Sequence, residues 1–454
     1  MANSDENDRK NPCNAIDPID SLRGETVFCC VPESGVFLRT LLISATILMA
    51  GCQTLPRASD LQANHVRAVA SVTAVEDQLI EFRHDLHRHP ELSGQEVRTS
   101  MRVAERLRSL GYEVRTNVGG HGVVGVLRGQ APGAENGPTI GFRADMDASR
   151  DFSVDPVSYS SVVEGVRHNC GHDLHTTVGI GLAIGLAEIR STLPGNIVLI
   201  FQPAEEAGTG AEAMLADGVF ASVKPEAILA VHTFPMELGV LASHPGSLLA
   251  GRARLSVTLR GNGELDSAAS DLHAALMAVS TIRPEAALEP TTPDFIYLDL
   301  APPRKHPVEP EVVVSGLVMS AGIENRPEIR RKVMQAIDAV QLPDVEVLVD
   351  YSQALEGVDN DPSVLRRSTN AMSALEAQLQ VRSFAKVFPA FSEDFGSFQK
   401  HTPGVMYFLG VNNAEAGTVG FPHSPDYVAD DAAILVGVRA MLSAVLALMD
   451  SSSQ

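Results

Sequence analysis

Thr139-Ile140-Gly141-Phe142-Arg143-Ala144-Asp145-Met146-Asp147 begins as a short apolar strand and ends in two carboxylates. Further on, His168-Asn169-Cys170-Gly171-His172-Asp173-Leu174-His175 precedes residues 176–189, whose small and apolar side chains read as a helix; residues 196–201 then read as a buried strand. Strand, polar turn, helix and strand is the unit from which parallel sheets are built. Working outward, residues 112–118 and 123–127 look like strands about a Gly-Gly-His-Gly turn. Residues 211–215 start a helix, and residues 227–231 form another strand. Residues 72–110 carry apolar side chains at helical spacing and stop at Gly111. A layered α/β domain with a largely parallel sheet is expected.

The pattern changes near Ala250. Residues 254–260 and 311–318 alternate apolar and polar, residues 272–282 and 326–340 are helical, and residues 345–349 form a strand. That order suits a small α+β domain of ferredoxin-like type inserted into the first. The chain then returns to helices at 363–379 and 429–449, flanking a strand at 404–409. The expected organisation is an N-terminal extension with a signal (1–52), a tether (53–72), a main α/β domain in two parts (73–249 and 353–454) and the insert (250–352).

An Arg, a short apolar run over residues 41–50, and Gly51-Cys52 read as a secretory signal. The run is shorter than the ~20 residues a helix needs to span a bilayer. Leu48-Met49-Ala50-Gly51-Cys52 resembles a bacterial lipobox, so Cys52 would carry a lipid and hold the mature chain on the periplasm-facing cell envelope. A signal of this kind would begin near Val36, leaving residues 1–35 to an upstream start site. Without use of the signal the protein would be cytoplasmic.

The 454 residues carry 35 Lys and Arg against 56 Asp and Glu, a net charge of −21, with no basic stripe. That argues against nucleic acid as a partner and for a small-molecule substrate. Only one of the five cysteines, Cys170, lies beyond residue 52, so an internal disulfide in the mature chain is excluded.

Groups able to bind metal gather at or just beyond strand ends, where open α/β sheets build their sites. They are Asp145 and Asp147, the Cys170–His175 stretch, Glu205-Glu206, His232 and His423. Sulfur, imidazole and carboxylate together suit Zn²⁺ or Mn²⁺, with Co²⁺ or Ni²⁺ as alternatives, rather than Ca²⁺. Adjacent glutamates can divide their roles, one ligating and one acting as general base. His84, His87 and His89 read as helix and packing residues. Gly179, Gly181 and Gly185 lie inside a helix and read as close-packing positions rather than a phosphate loop.

These residues carry a resemblance. Residues 83–92 (Arg-His-Asp-Leu-His-Arg-His-Pro-Glu-Leu), Arg143-Ala144-Asp145-Met146-Asp147-Ala148, Asn169-Cys170-Gly171-His172-Asp173-Leu174-His175-Thr176, Phe201-Gln202-Pro203-Ala204-Glu205-Glu206, Ser392-Glu393-Asp394-Phe395, Pro403-Gly404 and His423-Ser424-Pro425 resemble the M20 metallopeptidases and amidohydrolases. The similar branch contains hippurate, aminobenzoyl-glutamate and auxin-conjugate amidohydrolases, and the resemblance runs from about residue 75 to 448. It implies a zinc-peptidase-like α/β/α catalytic domain with a lid, and two divalent metal ions on Cys170, His172, Glu206, His232 and His423. It also implies Glu205 as catalytic base and Asp145, Asp147, Asp173 and His175 as supporting or substrate-side groups. The implied reaction is hydrolysis of an N-acyl amino acid, an aryl-amide or a small peptide-like amide.

The insert departs from the pattern. Relatives carry a Gly-Gly-His-Ala-Ala segment whose His completes the neighbouring subunit's site, so the resemblance implies a homodimer. Here Leu265 stands nearest that His, and Met319 ends the strand that carries an Arg in relatives. The metal site thus reads as complete and the lid as altered. Two other readings stay open: a metal- or ligand-binding lipoprotein that has lost turnover, and a metal-dependent esterase or deacetylase.

Overall fold

The computed structural model describes residues 58–450 apart from residues 263 and 385. The N-terminal extension, the signal and Cys52 lie outside the described residues. Among those described, no helix is long and apolar enough to cross a membrane.

Eight strands form the main sheet, in the order Glu113–Val118, Gly122–Arg128, Asn196–Gln202, Thr139–Asp145, Ala227–Glu237, Gly404–Asn412, Val240–Ser243, Gln380–Ser383. The four central strands, from Asn196–Gln202 to Gly404–Asn412, are mutually parallel; Gly122–Arg128 joins them antiparallel at one side and Val240–Ser243 at the other, where Gln380–Ser383 runs parallel to Val240–Ser243. Period-two alternation divides the sheet's two cores. Ile197, Leu199, Phe201, Leu229, Val231, Tyr407 and Leu409 pack on one face, while Val198, Ile200, Ile228, Ala230, Met406 and Phe408 pack on the other. Both faces are covered, which explains near-continuous apolar runs in these strands.

Helix His172–Glu188 is buried along most of its length and apolar all round. Its glycines serve packing, as the sequence suggests. A Cβ on Gly181 would come within 2.5 Å of Val438 Cγ2, and one on Gly179 within 2.8 Å of Phe201 Cε1. The helix starts at His172, four residues earlier than the sequence pattern indicates. The reason is that His172, Asp173 and His175 each make buried hydrogen bonds to residues outside the helix, so their polarity does not mark a loop.

Two other expectations need correction. The stretch read as a tether contains helix Ala58–Thr73, whose Ala68 and Val72 join the main core. The long helical stretch divides into Glu76–Arg88 and Val97–Ser109, with Pro90, which has no N–H to donate, between them.

The second sheet joins Gly251–Gly261, Tyr297–Leu300, Glu311–Ser320 and Val345–Leu355, all antiparallel. With helices Leu265–Met277 and Pro327–Ala339, the chain order is βαββαβ. The spatial order is 2-3-1-4, the ferredoxin-like arrangement. The first helix lies earlier than residues 272–282, because Ala269, Leu272 and Leu276 supply its buried stripe. Leu265 opens that helix and packs against the insert's own core.

Candidate metal centre

The carboxyl ends of the parallel strands bring the predicted residues together. Strand Thr139–Asp145 delivers Asp145 and then Asp147, and strand Asn196–Gln202 leads directly to Glu205 and Glu206. His232 lies within Ala227–Glu237 rather than beyond it, paired in register with Phe408. Cys170 and His172 flank the start of the buried helix, with Gly171 at φ +90° between them. Any Cβ at Gly171 would collide with the Tyr427 hydroxyl and Thr233 Oγ1, so only glycine fits. His423 comes from the segment after Gly404–Asn412 and is the exposed member.

Donor atoms of Cys170, His172 and His232 all lie within 4.8 Å of one another, as do those of Cys170, Glu206 and His423. Cys170 is common to both sets, an arrangement suited to two neighbouring cations. Cys170 Sγ is 3.4 Å from His232 Nε2, and His423 Nε2 is 3.7 Å from Glu206 Oε2. The Glu205 carboxylate is 3.7 Å from His172 Nε2.

Two orphaned atoms support a cation here. His172 Nε2 and Glu206 Oε1 are buried without a hydrogen-bond partner among the described residues. Each facing imidazole uses its other nitrogen to fix its ring: His172 Nδ1 donates to the Asp147 carbonyl at 2.9 Å, and His232 Nδ1 to the Thr233 carbonyl at 2.9 Å. Burial pushes the Cys170 thiol up and Glu206 up to about 7, costs that a bound cation would reverse. The donor set therefore fits a pair of divalent ions.

Asp145, Asp147, Asp173 and His175 surround this set. His175 Nδ1 donates to Asp145 Oδ1 at 2.7 Å, while its Nε2 accepts the Thr233 N–H at 2.8 Å, leaving no nitrogen for a metal. Asp147 accepts the N–H groups of Glu205 at 3.1 Å and Glu206 at 3.0 Å, together with Ser93 Oγ at 2.6 Å. Burial would raise Asp145, yet His172, Arg143 and His175 hold its carboxyl well below the usual range. Asp173 accepts from Arg83 Nε at 3.1 Å and His87 Nδ1 at 3.0 Å. His87 is thus more than a packing residue: its Nε2 also reaches Asp155 at 3.0 Å.

Sequence reasoning missed the charge cluster beneath Glu205. The fully buried Arg143 donates to Asp145 at 2.6 Å, Glu393 at 2.7 Å and Asp394 at 3.0 Å. Burial and then Glu393 push Glu205 well above the usual carboxyl range. Glu393 and Asp394 are distant in sequence and follow no periodicity; their motif was legible, their place was not. Backbone strain also collects here. Ala204, immediately before Glu205, and His423 adopt left-handed φ of 53° and 62°.

The donors open into a cavity of about 400 Å³. Phe234, Phe391, Phe408 and Phe421 form much of its apolar wall, and Arg252 reaches it from the second sheet.

Residues 141–447 match the profile of peptidase family M20/M25/M40. An N-acetylcysteine deacetylase from Bacillus subtilis is 30% identical over 383 residues, covering 80% of this chain and 94% of that protein. Thermostable carboxypeptidase 2 from Saccharolobus solfataricus is 29% identical over 399 residues, covering 84% and 97%. Among solved structures, the Bacillus subtilis YxeP protein, described as a dinuclear metal-binding peptidase of the M20 family, aligns with a TM-score of 0.69 at 25% identity, covering 84% of this chain and 99% of that one. The chain is a hydrolase belonging to peptidase family M20/M25/M40.

Proposed function

We propose that the protein hydrolyses the amide bond of N-acyl amino acids or small peptide-like amides, with Glu205 as general base. The observation that carries this reading is one carboxylate, Glu205, beside the orphaned His172 Nε2 in an otherwise complete donor set. Cys170, His172, Glu206, His232 and His423 would hold the ions, with Zn²⁺ or Mn²⁺ favoured by their mixed sulfur, nitrogen and oxygen chemistry. When bound, such ions supply polarisation of the amide carbonyl and acidification of water.

The chain's own residues supply the rest. Glu205 takes the proton of the attacking water and passes it to the departing amine nitrogen. Asp147 fixes the backbone of the glutamate pair, and the buried Arg143 cluster holds the floor beneath it. The phenylalanine wall receives the apolar part of the substrate and excludes water.

Metal-reconstituted protein tested on a panel of N-acyl amino acids and aryl-amides, beside Glu205→Gln, decides the matter. Wild type should cleave members of the panel, while the variant keeps its metal and loses roughly 10²–10⁴ in rate. Equal silence of both proteins, with ligand still bound, would favour a binding protein instead. Cys170→Ala should lower the bound metal, and unchanged stoichiometry would remove it from the ligand set. On the same reading the Cys52 thiol is a lipid attachment point, motivated by Leu48-Met49-Ala50-Gly51-Cys52. A Cys52→Ser variant that still fractionates with membranes would refute that anchor.

A further inference from the structure

We infer that Arg252 receives the free carboxylate of the substrate, making this site selective for amides whose amine half is an amino acid. The inference rests on the amidohydrolase reading above and specifies which half of the substrate lies against the second sheet.

Arg252 is the second residue of strand Gly251–Gly261, where the chain passes from the main sheet into the insert. It is the only Lys or Arg among the described residues lining the cavity, which also presents Glu205, Glu206 and Glu393. Its neighbours across the ladder, Met319 on one side and Leu355 on the other, offer no charge. Its Nε is buried without a hydrogen-bond partner, and no ion pair of Arg252 occurs among the described residues. By contrast, Arg143, fully buried and outside the cavity lining, is saturated by three carboxylates.

A half-buried guanidinium with unused donors carries a desolvation cost that a carboxylate would offset through a two-pronged contact. Burial lowers the Arg252 pKa, with Glu205 only partly opposing it. The backbone also makes room for this group. Gly208, in the loop after Glu205-Glu206, has φ +64°, and a Cβ there would come within 2.6 Å of Arg252 Nη2. The acidic rim explains why a cation is needed: without one, an incoming carboxylate meets like charge.

The test compares a panel of N-acetyl amino acids, including N-acetyl-L-phenylalanine, with the corresponding carboxamides on the metal-loaded full-length protein. Wild type should favour the acids by about a hundredfold in kcat/KM. Arg252→Met should remove that preference by lowering the acid values alone, and Arg252→Lys should restore part of it. A wild type that treats acid and amide alike overturns the inference, as does an Arg252→Met variant that loses both equally. Calorimetric binding of the same pairs to metal-loaded Glu205→Gln reads the preference without turnover. Arg252-dependent acid binding with no cleavage by wild type would refute the hydrolase reading of the substrate and leave this inference standing. Cleavage without preference would do the reverse, and neither binding nor cleavage of any acid would overturn both.

Discussion

Asp147 Oδ1 accepts the backbone N–H of Glu205 at 3.1 Å, tying the end of one parallel strand to the loop that follows its neighbour. The same carboxylate also accepts the Glu206 N–H, and it is fully buried. Removing it leaves one buried and one part-buried backbone donor without their acceptor. Asp147→Ala should therefore cost about 3 kcal/mol in urea unfolding and lower kcat more than KM changes. Asp147→Asn should be milder, because one amide oxygen can still accept while the amide nitrogen cannot. An Asp147→Ala protein with wild-type stability and kcat would show that the glutamate loop holds itself.

His175 and His172 are one helical turn apart and should respond differently. His175 has both nitrogens engaged by protein groups, whereas His172 Nε2 has no partner. His175→Gln should leave the number of bound ions unchanged and weaken their affinity by about tenfold to a hundredfold. His172→Gln should lower the stoichiometry itself. Equilibrium dialysis with elemental analysis separates the two outcomes, and equal stoichiometry in both variants would contradict the assignment.

The packing of the central helix against Ala433–Met449 predicts a compensating pair. A Cβ at Gly181 would press on Val438 Cγ2 at 2.5 Å. Gly181→Ala should destabilise the fold by about 1–3 kcal/mol, and adding Val438→Ala should recover part of that loss. Additive losses in a double-mutant cycle would mean that the two positions do not meet.

His65 gives a pH dependence. It lies in helix Ala58–Thr73 with Nε2 3.3 Å from Glu376 Oε1 and 2.9 Å from Ser443 Oγ. Burial lowers its pKa despite Glu376, with Arg439 also nearby. The folded state thus binds this proton less readily than the unfolded chain does. Its contribution to stability is complete above about pH 6.5 and is lost as the pH falls below that. Urea midpoints between pH 8 and pH 5 should fall less steeply for His65→Gln than for wild type; parallel slopes would exclude His65 as the cause.

Much of the fold was legible because local chemistry repeats along the chain. The apolar runs at 139–142, 196–201 and 404–409, short and bounded by turn signals, read as strands covered on both faces, and the change to alternation after Ala250 marks a sheet with one open face. Ala58–Thr73 was not legible, because its burial depends on helices His172–Glu188 and Ala433–Met449 arriving to cover it. The start of the central helix was misplaced for a related reason: Asp173 and His175 read as polar until Arg83 and Asp145, remote in sequence, bond to them.

The sequence by itself determined the candidate donors: Cys170, His172, the Glu205-Glu206 pair, His232 and His423, with the motif spacing that joins them to a family. Residue type and order along the chain are sufficient for that. Tertiary structure decided which nitrogen of each histidine is free, which carboxylates lie beneath Glu205, and that Arg252 enters the cavity with unused donors. Those properties arise from contacts between segments tens to hundreds of residues apart. Hydrogen-bond satisfaction and desolvation belong to the folded arrangement, so no local pattern encodes them.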